Sequence, residues 1–176
     1  CRIESGIELA DDQLSGLKSR LGNEPIDLLM NNAGILQRNS LDELDLDSMR
    51  VQFDINAIAP IKLTHALLDN LSAGSKVGLV TSRMGSVTDN TSGSHYGYRM
   101  SKAALNIGGV SLARDLTPRG IAVALLHPGW VRTGMTNHNG LIDPDEAARG
   151  ILRQMAQLTM ENSGSFWHSN GDSLPW

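Results

Sequence analysis

Tyr98 and Lys102 stand four residues apart in the run Tyr98-Arg99-Met100-Ser101-Lys102, at the head of a segment with helical patterning. Residues four apart on a helix share one face. A phenol stacked against an ammonium is expected to have its pKa lowered, which suits proton exchange near neutral pH. Chance supplies this pair often, so the neighbouring motifs carry the weight. Asn31-Asn32-Ala33-Gly34, Ser82-Arg83-Met84-Gly85 and Pro128-Gly129-Trp130-Val131-Arg132-Thr133 each follow a short apolar run. Ser86 competes with Ser82 as a hydroxyl of interest, and the glycine three residues after Ser82 decides for Ser82.

The elements that would position these groups alternate between strand and helix. Ile3 to Leu9 reads as a short strand, and Ala10-Asp11-Asp12 caps a helix with Leu14, Leu17 and Leu21 on one face, ending at Gly22. Ile26 to Met30 reads as a buried strand, and Asp45 or Asp47 opens a long helix to about Leu71. Lys76 to Thr81 is the next strand, and the helix carrying Tyr98 stops near Leu116, before Pro118 and Gly120. Ile121 to Leu126 is a strand, and Asp143-Pro144-Asp145-Glu146 starts a helix with Asp143 as N-cap and Glu146 at the capping-box position. That helix reaches about Leu158, and Phe166-Trp167 is a last short strand. Strands apolar on both faces, alternating with helices, predict an α/β fold: a doubly wound parallel sheet in three layers, as one domain over 1–176. In such sheets ligands bind beyond the carboxyl ends of the strands, where the motifs cluster.

Composition sets broader limits. The chain has 176 residues, 40% of them hydrophobic and 19% charged, with net charge −4, which is ordinary for a globular domain. Lys and Arg are scattered, giving no reason to expect nucleic acid or an anionic membrane surface. No apolar run reaches the ~20 residues of a membrane span. A single cysteine, Cys1, leaves no internal disulfide and fits a reducing cytoplasm. His65, His127 and His138 lack metal-ligand spacing, so no metal is expected, and they read as structural or solvent-facing.

The four motifs, in their order and spacing, resemble the short-chain dehydrogenase/reductase family. The closer likeness is to C-factor-like members and sniffer-type carbonyl reductases, carried by Thr81 to Ser86, Tyr98 to Leu105 and the Leu174-Pro175-Trp176 ending. The resemblance implies a Rossmann-like fold and hydride transfer between NAD or NADP and a small carbonyl or alcohol. It implies Tyr98 as general acid or base, Ser82 as the hydrogen-bond donor to the reacting oxygen, and Lys102 as the group tuning Tyr98 and holding the cofactor ribose. Asn56 would hold a water linking Lys102 to solvent. Pro60 supports this independently: four residues later and without an N–H, it leaves the Asn56 carbonyl short of a helical partner. Cofactor contacts are implied at Glu8, Asn32, Ala33, Gly34, Tyr98, Lys102, Pro128, Gly129, Val131 and Thr133, and a homodimer or homotetramer through the Tyr98 helix and its predecessor.

Two departures from the family pattern stand out. No glycine-rich phosphate turn precedes Asn31, since Gly6 stands alone and Ile3 to Leu9 aligns with the family's third strand. The chain therefore reads as N-terminally truncated, short of its first two strand–helix units, roughly 60 residues at ~30 apiece. The parent protein is expected to be an enzyme, and the alternative for this chain is an inactive signalling or interaction module that binds cofactor poorly. The second departure is a stretch from Thr88 to Gly93 that lengthens the gap between Ser82 and Tyr98. It is expected to loop out and shape the substrate mouth. Trp130 either lines that mouth or packs on the core.

Overall fold

The computed structural model describes residues 11–176. The predicted strand from Ile3 to Leu9, and Glu8 within it, lie outside the described residues. Helix α1 (Asp11–Leu21) leads to strand β1 (Leu28–Asn31), helices α2 (Leu46–Phe53) and α3 (Ala59–Ala66), and strand β2 (Lys76–Val80). Helix α4 (Tyr96–Leu116), strand β3 (Ala122–His127), helix α5 (Pro144–Gln157) and strand β4 (Phe166–His168) complete the order. Among the described residues the four strands form one parallel sheet, ordered β1-β2-β3-β4. Each parallel pairing needs a crossover, and the intervening helices supply it.

Strand periodicity decides which helix covers which face. On β3, Val123 and Leu125 join Val77, Leu79, Leu105, Ala113 and Leu116 in one cluster beneath α4. Their neighbours Ala122, Ala124 and Leu126 join Ile151 and Met155 of α5 on the other side. The sheet is therefore a middle layer, as the doubly wound prediction requires. Gly109 brings α4 close to it, since a Cβ there would lie 2.7 Å from Leu79 Cδ1 and 2.8 Å from Leu125 Cδ2.

Three expectations are corrected. Ile26 to Met30 was expected to be buried throughout, yet Leu28 is 39% exposed, because β1 pairs only with β2 among the described residues. The long helix to Leu71 is broken into pieces. Asp45 caps α2 as expected, its Oδ1 accepting from the Ser48 N–H at 2.9 Å. A π-helical segment, Asp54–Ile58, then separates α2 from α3, with the Ala59 N–H donating to the Asp54 carbonyl. Pro60 explains the break: its ring and missing N–H conflict with ordinary helical bonding to residue 56, and a widened turn relieves the conflict. Asp143 occupies the N-cap of α5 but makes no capping bond. Its carboxylate instead accepts from Arg132 Nε at 2.8 Å.

Leu125 is fully buried at the centre of the sheet. Leu125→Ala is expected to lower stability by about 2–5 kcal/mol, measured as a lower urea midpoint at unchanged slope. A loss under about 1 kcal/mol would mean that the layer collapses around the gap.

Candidate active site

The carboxyl end of β2 delivers Ser82. Thr81 still pairs with β3, its N–H donating to the Leu126 carbonyl at 2.9 Å, and its hydroxyl donates to Asn106 Oδ1 at 2.6 Å. Ser82 is extended and caps the short turn Arg83–Gly85, its Oγ accepting from the Met84 N–H at 3.1 Å. That turn presses on α4. A Cβ on Gly85 would lie 2.7 Å from the Lys102 carbonyl carbon and 2.9 Å from the Ala103 nitrogen, both backbone atoms. Only glycine permits this approach, which is the physical content of a glycine three residues after the serine.

The approach brings Ser82 close enough to Tyr98 for the serine to favour the phenolate. Tyr98 is 7% exposed. Burial pushes its pKa above the ordinary 10.0, and Ser82 offsets only part of this. The expected lowering by Lys102 is therefore corrected. The ammonium lies 5.8 Å from the phenol ring centroid, and burial pulls the lysine's own pKa down from 10.5 to about 8. Lys102 Nζ donates instead to the Val80 carbonyl at 2.9 Å. Two groups in one low-dielectric site each lose charge stability when no counter-charge is present.

Asn56 lies in the π segment and is fully buried. Its Nδ2 donates to the Ile35 carbonyl at 2.8 Å and to Ser101 Oγ at 3.0 Å, and its Oδ1 accepts from the Ile35 N–H at 2.8 Å. Ser101 Oγ donates in turn to the Tyr98 carbonyl at 2.8 Å. The amide thus fastens the loop after Gly34 to the helix that carries Tyr98. A point at Cβ distance from Gly34 lies 3.2 Å from Asn56 Oδ1 and 3.4 Å from Lys102 Nζ, so both groups reach the same space.

The remaining candidates line the same edge of the sheet. Asn31 is buried, its Nδ2 donating to Thr64 Oγ1 at 3.3 Å, whereas Asn32 and Ala33 are exposed beyond β1. Residues Asn31 to Ala33, with Leu17, Met30, Ile55, Ala59, Pro60 and Leu63, border a cleft of about 290 Å3. Beyond β3, Gly129 turns with φ +96°, Val131 bridges to Ile142, and Thr133 caps the short turn Gly134–Thr136. Trp130 is 55% exposed, which settles its two readings against core packing. Met135 and Leu141 are exposed as well, and the Leu141 N–H donates to the Trp130 carbonyl at 2.7 Å.

Sequence reasoning missed several polar groups. Asn39 and Gln52 are buried and bonded to each other, Gln52 Nε2 donating to Asn39 Oδ1 at 3.2 Å. Nothing in their spacing marks them. Arg99 carried a signal, standing inside the Tyr98–Lys102 run. His127 proves largely buried and set edge-on to His168 at 5.0 Å between ring centroids. Burial chiefly, then His168 and Arg83, hold its pKa down at about 3, so its ring is neutral.

Comparison with known proteins agrees with this geometry. The short chain dehydrogenase family model matches residues 9–141. The chain is 39% identical, over 99% of its length and 80% of the relative's, to 1-hydroxy-2-glutathionyl-2-methyl-3-butene dehydrogenase of Rhodococcus sp. strain AD45. It is 43% identical, over 86% of its length and 93% of the relative's, to C-signal of Myxococcus xanthus. The crystal structure of NADPH-bound carbonyl reductase from chicken fatty liver superposes with a TM-score of 0.86 at 30% identity, covering 97% of this chain and 75% of that one. With a four-stranded parallel sheet, the motif order and these likenesses, the chain belongs to the short-chain dehydrogenase/reductase family.

Proposed function

We propose that the protein is an NAD(P)-dependent oxidoreductase that interconverts a small carbonyl and its alcohol, with Tyr98 as the proton donor or acceptor. The single observation carrying this reading is the buried Tyr98 phenol set close to Ser82, at the mouth of a parallel sheet. A carbonyl oxygen set between those hydroxyls would accept from both. Ser82 then stabilises the charge that develops on the oxygen, and Tyr98 delivers the proton. A phenol held above its ordinary pKa stays protonated at neutral pH and is ready to act as the acid in reduction.

The residues present fit the nicotinamide end of a dinucleotide. Asn32, Ala33 and Gly34 are exposed or half-exposed at the end of β1, Lys102 Nζ reaches the space at Gly34, and Pro128, Gly129, Val131 and Thr133 turn over the end of β3. Tyr98 and Lys102 would bond the ribose. The nicotinamide, when bound, supplies or takes the hydride. The choice between NAD and NADP stays open, and Glu8 keeps its proposed adenine contact from the family pattern alone. Exposed Trp130, Met135 and Leu141 supply an apolar edge suited to the substrate's carbon skeleton. Pairing of two copies through α4 and α2–α3 is supported by exposed Met100, Ile107, Val51 and Phe53. Among the described residues no helix is long and apolar enough to cross a membrane, and a cytoplasmic location rests on the lone Cys1.

Tyr98→Phe is expected to lower kcat for carbonyl reduction by ~100-fold or more, as loss of a general acid does. Turnover within twofold of the parent would remove Tyr98 from the chemistry.

Lys102 gives a pH-dependent signature. Burial penalises its ammonium in the folded chain, so between about 8 and 10.5 the unfolded chain holds more protons. Stability therefore rises with pH across that window. Urea unfolding of the parent and of Lys102→Met at several pH values should show the parent gaining on the variant from pH 8 upward. A difference independent of pH would place the ammonium in solvent.

A second reading, a signalling or interaction module without turnover, is favoured by the likeness to C-signal over most of that relative's length. Titration with NADH and NADPH, followed by nicotinamide fluorescence, separates the two. Saturable binding with turnover supports the enzyme. A folded chain that binds neither supports the module.

A further inference from the structure

The corner that leads into α4 is strained and held from two sides. Gly93, Ser94 and His95 are three successive residues with φ of 64°, 58° and 53°. Two of them carry side chains that disfavour this left-handed region. Such a corner persists only where its surroundings over-determine it. His95 is the N-cap of α4 and makes no side-chain capping bond.

Arg99 holds the carbonyl side. Its Nε donates to the Gly93 and Ser94 carbonyls at 3.1 and 3.2 Å, and its Nη2 to Ser92 Oγ at 2.9 Å. Its Nη1 reaches the Met84 carbonyl at 3.4 Å, in the turn that Ser82 caps. Asn39 holds the opposite side. Its carbonyl accepts from the His95 N–H at 2.7 Å and from Ser94 Oγ at 3.0 Å, and its Oδ1 accepts from the Gly97 N–H at 3.3 Å. Arg99 and Gly97 flank Tyr98 in the chain. The planar guanidinium thus spans the corner, the Ser82 turn and the helix bearing the phenol, which a flexible ammonium cannot do.

We propose that Arg99 is a positioning residue: with Asn39 it locks the Gly93–His95 corner and the Ser82 turn onto the first turn of α4, and so sets Tyr98 against Ser82. The proposal deepens the catalytic reading of Tyr98 and rests on it for its functional meaning, but its physical content is the placement of the phenol. Loosening that clamp lets water reach the hydroxyl. Removing a nearby positive charge alone would push the phenol pKa up, whereas exposure brings a raised pKa back down. The two effects have opposite signs.

The protein has two tyrosines, Tyr96 and Tyr98, so Tyr96→Phe leaves Tyr98 as the lone NMR reporter when tyrosine is labelled at Cζ. In that background the phenol should titrate above 10.0. Adding Arg99→Ala should return the midpoint toward 10.0, and free guanidinium should partly reverse the change. Arg99→Lys should behave like Arg99→Ala, and it decides the matter if the alanine variant fails to fold. In the reduction assay kcat should fall by up to ~100-fold, the scale of a misplaced reacting group, with little change in KM for NADPH. A midpoint that stays put or climbs further in the Arg99 variants overturns the clamp. Full turnover in Tyr98→Phe would overturn the catalytic reading and leave the clamp untouched, so the two failures are distinct.

Discussion

A hydroxyl taken out of water needs a polar neighbour, and in this chain Ser82 is the side chain that offsets part of the burial of the Tyr98 phenol. The cost of leaving it unpaired exceeds the modest net value of an ordinary hydrogen bond, so everything that keeps the two residues together is under constraint. Gly85 is small enough for the Ser82 turn to touch the backbone of α4. The Lys102 ammonium is fastened to the carbonyl that ends β2. Asn56 ties the β1 loop to the same helix through Ser101. The crevice is the junction of three strand ends on a single helix, and the sheet register brings those ends level.

The electrostatics follow from that burial. With no counter-charge in the described site, both the phenol and the ammonium are pushed toward their neutral forms. His127, nearby on β3, is neutral for the same reason. In so dry a site any charge interacts more strongly with its neighbours than it would in water, because the effective dielectric is low.

Much of this was legible in the sequence because the signals were local. Helix starts, apolar strands and the glycine three residues after Ser82 each follow from the chemistry of a few adjacent residues. The pairing of Tyr98 with Lys102 on one helix face was legible too, but its electrostatic consequence was not. Spacing shows proximity and does not show depth, and depth decides the sign of the shift. Asn39 and Gln52 were invisible for a related reason: their partners are distant in the chain, and isolated polar residues give no pattern. The Asp143 cap failed because Arg132, eleven positions upstream, competes for the carboxylate. Pro60 was read correctly as a disturbance of hydrogen bonding, while its geometric answer, a widened turn, needed coordinates.

That widened turn constrains how this part of the chain can vary. Each residue of a helix advances about 100° around the axis, so a π segment acts as a phase correction between α2 and α3. Upstream of it Gln52 faces Asn39, and downstream Thr64 faces Asn31. Because the wide turn absorbs one residue more than an α-helical turn does, both faces keep their partners across it. A further inserted residue, with no second wide turn to absorb it, would advance the helix by about 100° and rotate one face away from its partner.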